Sequence, residues 1–295
     1  MISPLFRKSK PALVAFTAPV LILYTVILII PLIQSVIYSF TEWDGINPAV
    51  FVGLENYLRL FASSDLAISI RNSLIFSLIL TMYQIGVGLF FAFIFANANI
   101  KGTQFFKNVY FLPVVLSISV VSQLWISIYH GDFGLINQLA KAMGLSWRQY
   151  WLNEPVKGLI AVIAAESWKG MGYHMFILYA AMKNVPHVYY EASLIDGANR
   201  NQQFFGITLP LIIPTLKMCI IMCVTFGFHA FEVIFLMTKG GPGNYTHTLS
   251  ILLYRAMIRL RSYGYGSTVA VLIVIICVGL MLIINKLTEK FEEIY

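Results

Sequence analysis

Long apolar runs separated by short polar stretches set the plan of this chain. Hydrophobic runs cover about residues 12–37, 73–96, 109–127, 158–182, 211–237 and 268–284. A helix rising 1.5 Å per residue needs roughly 20 apolar residues to cross a hydrocarbon core of about 30 Å, so these six runs predict six transmembrane helices. The fold class is therefore an all-α membrane protein, read as a single membrane domain over residues 1–295. The first run follows Arg7, Lys8 and Lys10, is too long for a signal-peptide core and has no A-x-A-like site after it. It reads as an uncleaved span whose basic end lies in the cytoplasm. With six spans both termini are cytoplasmic. Inner loops then fall at about 97–108 and 183–210, and outer loops at about 38–72, 128–157 and 238–267. Lys and Arg are nearly balanced in number between the two sides but denser on the shorter inner segments.

Composition agrees with an integral, multi-pass membrane protein. Of 295 residues 59% are hydrophobic and 11% charged, with mean hydropathy +0.78, against roughly 25% charged in soluble domains. The net charge of +7 is spread over termini and loops without interleaved aromatics, which argues against nucleic acid as a partner and for the bilayer. Cys219, Cys223 and Cys277 all lie in apolar runs. Cys219 and Cys223 share a helix face, but no His or carboxylate is spaced to complete a metal site, so all three read as small packing residues.

The stretch 186–210, PHVYYEASLIDGANRNQQFFGITLP, is polar beyond what a connector needs. Pro186 suits a helix start, and Ala192, Leu194, Ile195 and Ala198 favour a helix from about Pro186 to Ala198. Gly197 and Asn199 permit a left-handed close, and residues 202–207 make a second short turn before Leu209-Pro210 opens the next run. The residues alone allow an amphipathic helix lying on the bilayer surface. The spacing Glu191-Ala192-Ser193, Gly197, Ile207, Leu209-Pro210, however, resembles the EAA loop of binding-protein-dependent ABC importer permeases, EAA-x3-G-x9-I-x-LP, with Ser193 where that pattern has alanine. In that family the loop is a cytoplasmic coupling helix seated on an ATPase. The resemblance implies a type I ABC importer permease fold, and coupling roles for Glu191, Ala192, Ser193, Asp196, Gly197, Ala198, Ile207, Leu209 and Pro210.

Three further stretches are similar to the carbohydrate branch of the family, which includes maltose-type permeases. Phe51-Val52-Gly53-Leu54 with Asn56-Tyr57 resembles FVGLxNY, Gly53 serving a tight turn. Gly131-Asp132-Phe133-Gly134 with Asn137 resembles DFGxxN. Phe231-Glu232, Thr238 and Gly240-Gly241-Pro242 resemble FD…TxGGP, with glutamate for aspartate.

In the outer loops, residues 134–144 place Leu135, Leu139 and Ala142 on one face and end in glycine, as an amphipathic helix would. Residues 248–261 line Leu249, Leu252, Ala256 and Leu260 along one side and leave Arg255, Arg259 and Arg261 on a basic edge. That edge reads as a solvated or headgroup-facing surface, or as a docking surface, with Arg255 and Arg259 the candidates for contact with a binding protein.

Polar groups inside spans are costly and ask for a cavity, a partner or a route to the interface. Glu166 and Lys169, three apart, are expected to pair on one helix face, the alternative being substrate contact. Lys217 near a span end snorkels. Sugars offer hydroxyls and apolar C–H faces. Candidate pathway residues for such a substrate are Tyr83, Gln84, Ser117, Gln123, Trp168, Tyr173, His174, Phe226, His229 and Glu232, while Trp125 and Tyr129 near a span end read as interfacial-belt or core-packing aromatics.

No phosphate loop G-x-x-x-x-G-K-[ST] is present, nor H-E-x-x-H or G-x-S-x-G. The chain is read as a transporter subunit and not an enzyme. No cofactor is expected in it, ATP and Mg being bound by a partner ATPase. The resemblance implies the membrane-spanning subunit of an ATP-driven sugar importer, most simply for an oligosaccharide. Its implied partners are a second, homologous permease, an ATPase dimer and an extracytoplasmic sugar-binding protein, and its implied location is the plasma (inner) membrane. An ion-coupled secondary transporter using Glu166, Glu232 or His174, and a same-family permease for glycerol phosphate or another polyol ester, are the competing readings.

Overall fold

The computed structural model describes residues 10–97 and 102–292. Arg7 and Lys8 of the basic amino terminus lie outside the described residues. The protein is overwhelmingly helical, and by contacts it divides into two compact units, Met1–Ser63 with Leu253–Leu272, and Ser64–Leu252 with Ile273–Tyr295.

In the first unit, helix Lys10–Tyr24 passes through a π turn, Thr25–Ile29, into helix Ile30–Tyr38. Val14–Tyr38 is apolar enough to cross a membrane, and no residue of its most apolar window is buried in this chain. The helix is followed by a feature that the apolar pattern does not predict, an antiparallel pair of two-residue strands, Thr41–Glu42 and Val50–Phe51. The FVGLxNY residues explain it. Gly53 takes the expected left-handed turn at φ +59°. Asn56, buried, donates its amide to the carbonyls of Ser39 (3.1 Å) and Thr41 (2.8 Å), and the Tyr57 hydroxyl bonds that of Ser39 at 2.8 Å. Buried carbonyls left by the end of a helix must find donors, and Asn56 supplies them. The Asp44 carboxylate accepts the backbone amides of Ile46 and Asn47 and the Asn47 side chain. These bonds, led by the Ile46 amide, hold its carboxyl below the usual carboxylate range.

The second unit is built around helix Pro155–Lys183, fourteen of whose 29 residues are buried. Helices Ser64–Asn97 and Leu209–His229 pack on it. One hydrophobic cluster includes Phe76, Leu80, Val162, Ile163 and Ile234. A second includes Met175, Leu178, Ile212, Cys219 and Cys223, the last two buried as a packing role requires. Small residues set the approach of these helices. A Cβ on Gly172 would lie 2.4 Å from the Tyr110 carbonyl oxygen, and one on Gly227 2.4 Å from the Ser77 Cα.

Among the described residues, four helices are long and apolar enough to span a membrane: Val14–Tyr38, Ser64–Ala96, Arg200–His229 and Tyr263–Glu289. The run at 109–127 is not one straight helix. It breaks into Thr103–Val115 and Ile118–Ile128, bent by 98°. Leu116 and Ser117 are extended at the break, and the Ser117 hydroxyl accepts the Val120 amide as an N-cap, so this candidate pathway residue acts as a helix start. The run at 158–182 lies in the Pro155–Lys183 helix, which is long enough to cross but falls short in apolar character because it carries Glu166, Lys169 and His174. The run at 211–237 also divides: its helix ends at His229 and restarts at Glu232. Carbonyls exposed by that break are taken up by hydroxyls, Ser250 donating to Phe228 (3.2 Å) and Thr248 to Ala230 (3.2 Å).

Candidate coupling elbow and translocation pocket

Residues 186–210 form an elbow. Pro186 caps helix His187–Ile195, shorter than expected by three residues at its end. Gly197, at φ +77°, turns the chain left-handed as expected, with the Ala198 amide bonding back to Ser193 O at 2.9 Å. Asn199 does not share that conformation. It starts the next helix instead, its Oδ1 accepting the Gln202 amide (3.0 Å) while Gln202 Oε1 accepts the Asn199 amide (2.7 Å), a reciprocal capping box. Nor is the second turn separate from the following span. Helix Arg200–Gln203 runs through a π turn, Phe204–Thr208, directly into Leu209–His229, whose first turn holds Pro210.

The two arms are tied together. The Tyr190 hydroxyl bonds that of Thr208 at 2.8 Å, Gln203 Nε2 donates to Ser193 Oγ at 2.9 Å, and Ser193 Oγ donates to Tyr190 O at 2.8 Å. Phe204 is buried edge-on against Phe93, while Phe205 is exposed. Ile207 and Leu209 pack on the second hydrophobic cluster. Glu191, Ala192 and Asp196 are exposed, and so are Val188, Leu194 and Ile195, the last at 88%. The elbow thus presents two carboxylates, Glu191 and Asp196, among apolar side chains on a frame fixed to a membrane helix.

On the core helix, Glu166, Lys169, Gly170, Tyr173 and His174 fall at i, i+3, i+4, i+7 and i+8, one continuous stripe. With Gln84, Val114, Met222, Cys223 and Phe226 they line a cavity of about 210 Å³. Gln84 is buried and donates to Glu166 O at 3.2 Å. The Cys223 thiol lies 3.5 Å from Gln84 Oε1 and 3.3 Å from His174 Nε2. The expected Glu166–Lys169 pair does not close: no ion pair joins them within 4.0 Å, and Glu166 Oε2, buried, has no hydrogen-bond partner. Both residues line the cavity instead of meeting each other.

Of the candidate pathway residues, the cavity gathers Gln84, Tyr173, His174 and Phe226. The others lie elsewhere. Tyr83 is exposed, its hydroxyl 4.0 Å from Met171 Sδ; Trp168 stacks edge-on against Trp125; Gln123 is exposed. His229 donates within its own helix to Thr225 O at 2.9 Å, and exposed Glu232 sits in the first turn of helix Glu232–Met237, where its charge suits the helix dipole. Sequence reasoning does not single out Cys223, Met222 and Gly170 as cavity residues. Only their position, one or two turns from polar residues on the same faces, marks them.

Arg255 is half-buried and Arg259 exposed, on the π turn that follows helix Leu249–Tyr254. Leu249, Leu252 and Ala256 are buried as expected, but Leu260 is 56% exposed. A π turn adds one residue to the repeat, so positions after it rotate by about 100° off the α-helical stripe.

In the loop after helix Ile118–Ile128, helix Leu135–Ala142 forms as expected, with Gly144 left-handed after it, and its leucine face turns away from the rest of the chain. Leu135 and Leu139 are exposed, and Asn137 and Ala140 are buried. Asn137 Nδ2 donates to the carbonyls of His130 (3.3 Å), Gly131 (2.9 Å) and Gln149 (2.9 Å), and its Oδ1 accepts the Gln149 amide (3.2 Å). Four bonds to backbone groups of the loop outweigh burying the leucines within this chain.

The sequence matches the family model described as "binding-protein-dependent transport system inner membrane component" over residues 64–291. It is 33% identical to the multiple sugar-binding transport system permease protein MsmF of Streptococcus mutans, over 92% of this chain and 93% of that one. It is 31% identical to the probable ABC transporter permease protein YurN of Bacillus subtilis, over 94% and 96%. Its fold superposes on a chain of a bacterial ABC transporter involved in the import of the acidic polysaccharide alginate, with a TM-score of 0.84, 23% identity, and coverage of 98% and 99%. The chain therefore belongs to the binding-protein-dependent inner-membrane transport components, the permease subunits of ABC transporters.

Proposed function

We propose that this chain is the membrane-spanning subunit of an ATP-driven importer for a sugar, an oligosaccharide in the simplest case, with residues 186–210 as its coupling elbow. The observation that carries the reading is the exposed Glu191 on a short helix that is cross-linked through Ser193–Gln203 and Tyr190–Thr208 to a continuous membrane helix. Such a frame transmits displacement: a push on the His187–Ile195 arm is delivered to Leu209–His229, which carries Cys223 and Phe226 into the cavity.

In this reading the whole chain is one transmembrane domain with six crossings, the bent pair and the Pro155–Lys183 helix each counting as one. Both termini and the elbow are cytoplasmic. A second, homologous permease completes the pore. An ATPase dimer, which binds ATP and Mg, receives Glu191 and its apolar neighbours, and an extracytoplasmic binding protein delivers sugar to the outer face near Arg255 and Arg259. Sugar relatives such as MsmF support the substrate class. The cavity fits it chemically: Tyr173 and Phe226 offer ring faces to C–H surfaces, and Gln84, Glu166, Lys169 and His174 offer donors and acceptors to hydroxyls. ATP binding closes the ATPases and opens the cavity outward; hydrolysis resets it inward.

The test is co-expression with the partner permease and ATPase, reconstitution into liposomes, and uptake of labelled oligosaccharide with its binding protein. Uptake that needs both ATP and the binding protein is expected. Uptake driven by an ion gradient without ATP overturns the reading.

A further inference from the structure

We infer that helix Leu135–Ala142 lies in the outer membrane–water interface, its outward face bedded in lipid. It is amphipathic in an unusual sense. The side that faces the protein is held by a polar residue, Asn137, and by Ala140, whereas Leu135, Leu139 and Ala142, close to one line along the helix, point away. Met143, 70% exposed, extends that line at its end, and Phe133, 66% exposed, lies in the turn before the helix.

The helix is not free to roll and hide the leucines. Asn137 pins it through its four backbone bonds. At Gly134 the chain passes so close to its own preceding turn that a Cβ would lie 2.3 Å from His130 O. A leucine face held outward by the fold itself is destabilised in water and stabilised by contact with hydrocarbon.

The occupant follows from where the helix is tied. Its anchors, His130 O and Gly131 O, are two and three residues beyond the end of helix Ile118–Ile128, the outer leg of a bent apolar pair. The loop then returns at Pro155 into the core helix. Exposed Val120 and Leu124 lead into the loop, and exposed Val156 and Ile160 lead out of it, so the leucine face continues the apolar surface of the membrane helices at both ends. Lys141 flanks the face, and exposed Trp147 and Tyr150 follow, residue types that settle at headgroup depth. The inference holds for any cargo and does not depend on sugar import.

The experiment places a single spin label at 135, 139, 138 or 141, by Leu135→Cys, Leu139→Cys, Gln138→Cys or Lys141→Cys, in the assembly as purified and reconstituted in phosphatidylethanolamine–phosphatidylglycerol liposomes. The three native cysteines are buried, and the unsubstituted protein treated in the same way gives the background. Collision with oxygen, which concentrates in lipid, and with a water-soluble nickel chelate is measured at each site. Labels at 135 and 139 are expected to be several-fold more accessible to oxygen than to the chelate, with the order reversed at 138 and 141. Chelate access at 135 and 139 equal to that at 138 overturns the inference in favour of a water-exposed helix. Protection from both reagents overturns it in favour of a protein partner covering the face.

Discussion

Gln203 donates its side-chain amide to the Ser193 hydroxyl at 2.9 Å, and this bond joins the two arms of the elbow. Ser193 is the residue at which the sequence departs from the family's second alanine, so the departure adds a tie. A net hydrogen bond of this kind is worth about 0.5–1.5 kcal/mol. Ser193→Ala is therefore expected to slow ATP-driven uptake by up to about tenfold while the ATPase still co-purifies. Gln203→Ala should match it, and the double variant should be no slower than either single, because both remove one bond. Additive losses in a double-mutant cycle would show that the bond is not the cause.

Gly197 tests backbone in place of side chain. At φ +77° nothing lies within 4 Å of the position a Cβ would take, so Gly197→Val meets strain and no clash. That strain is about 1–3 kcal/mol for a non-glycine residue held left-handed. Gly197→Val should abolish uptake with membrane insertion unchanged, and Gly197→Asn, which tolerates the conformation, should keep part of it. Glu191→Lys on the exposed face should lose both uptake and ATPase retention. Normal uptake by Glu191→Lys would remove the coupling role from that residue and return the helix to a lipid-surface reading.

Asn137 predicts a local effect. Asn137→Ala removes four bonds and strands the Gln149 amide, at a cost of about 1–3 kcal/mol for each buried group left unpaired. Faster amide exchange at Gln149 and protease cleavage within 131–149 are expected, with the Pro155–Lys183 helix unaffected. Unchanged exchange at Gln149 would mean that water replaces the side chain at no cost.

The turn at Asp44 should respond to acid. Its carboxyl is held low by the Ile46 and Asn47 amides, so the ionised turn is stabilised at neutral pH, and that contribution is lost as pH falls through the lowered folded value. Amide exchange at Ile46 is expected to rise with acidification after correction for intrinsic rate. Asp44→Asn should flatten that dependence.

These sites mark what the sequence could and could not convey. Four of the apolar runs fall on helices long and apolar enough to cross a membrane, because hydropathy over a long window depends on little else. The ends and breaks were not legible, since they are decided by single polar contacts across distant parts of the chain. Ser117 capping Val120 bends one run, and Thr248 and Ser250 taking up carbonyls at 230 and 228 divide another. Periodicity found helix 135–142 and its leucine face but could not say which way that face turns, because hydrophobicity cannot anticipate an asparagine that bonds three carbonyls. In the cavity, depth along a span pointed to Gln84, Tyr173, His174 and Phe226. The same criterion also admitted Gln123, His229 and Glu232, whose helix faces turn elsewhere.

Two neighbouring glycines on the core helix separate transport from folding. A Cβ at Gly170 would lie 2.1 Å from Gln84 Nε2, the end of a side chain, whereas one at Gly172 would lie 2.4 Å from the Tyr110 carbonyl and 2.9 Å from Phe111 Cα, backbone that cannot swing aside. Gly172→Ala should therefore lower the yield of assembled protein. Gly170→Ala should assemble normally but push the Gln84 amide off Glu166 O and away from the Cys223 thiol, removing a polar group from the cavity wall. With one or two net hydrogen bonds lost, at about 0.5–1.5 kcal/mol each, uptake should fall by roughly tenfold and the loss should appear mainly in substrate affinity. Adding Gln84→Ala to Gly170→Ala relieves the clash without restoring the amide. The double variant should thus regain any lost thermal stability and remain impaired in uptake. Full recovery of uptake would show that Gln84 only fills space, and the cavity would lose its claim to a polar contact with substrate.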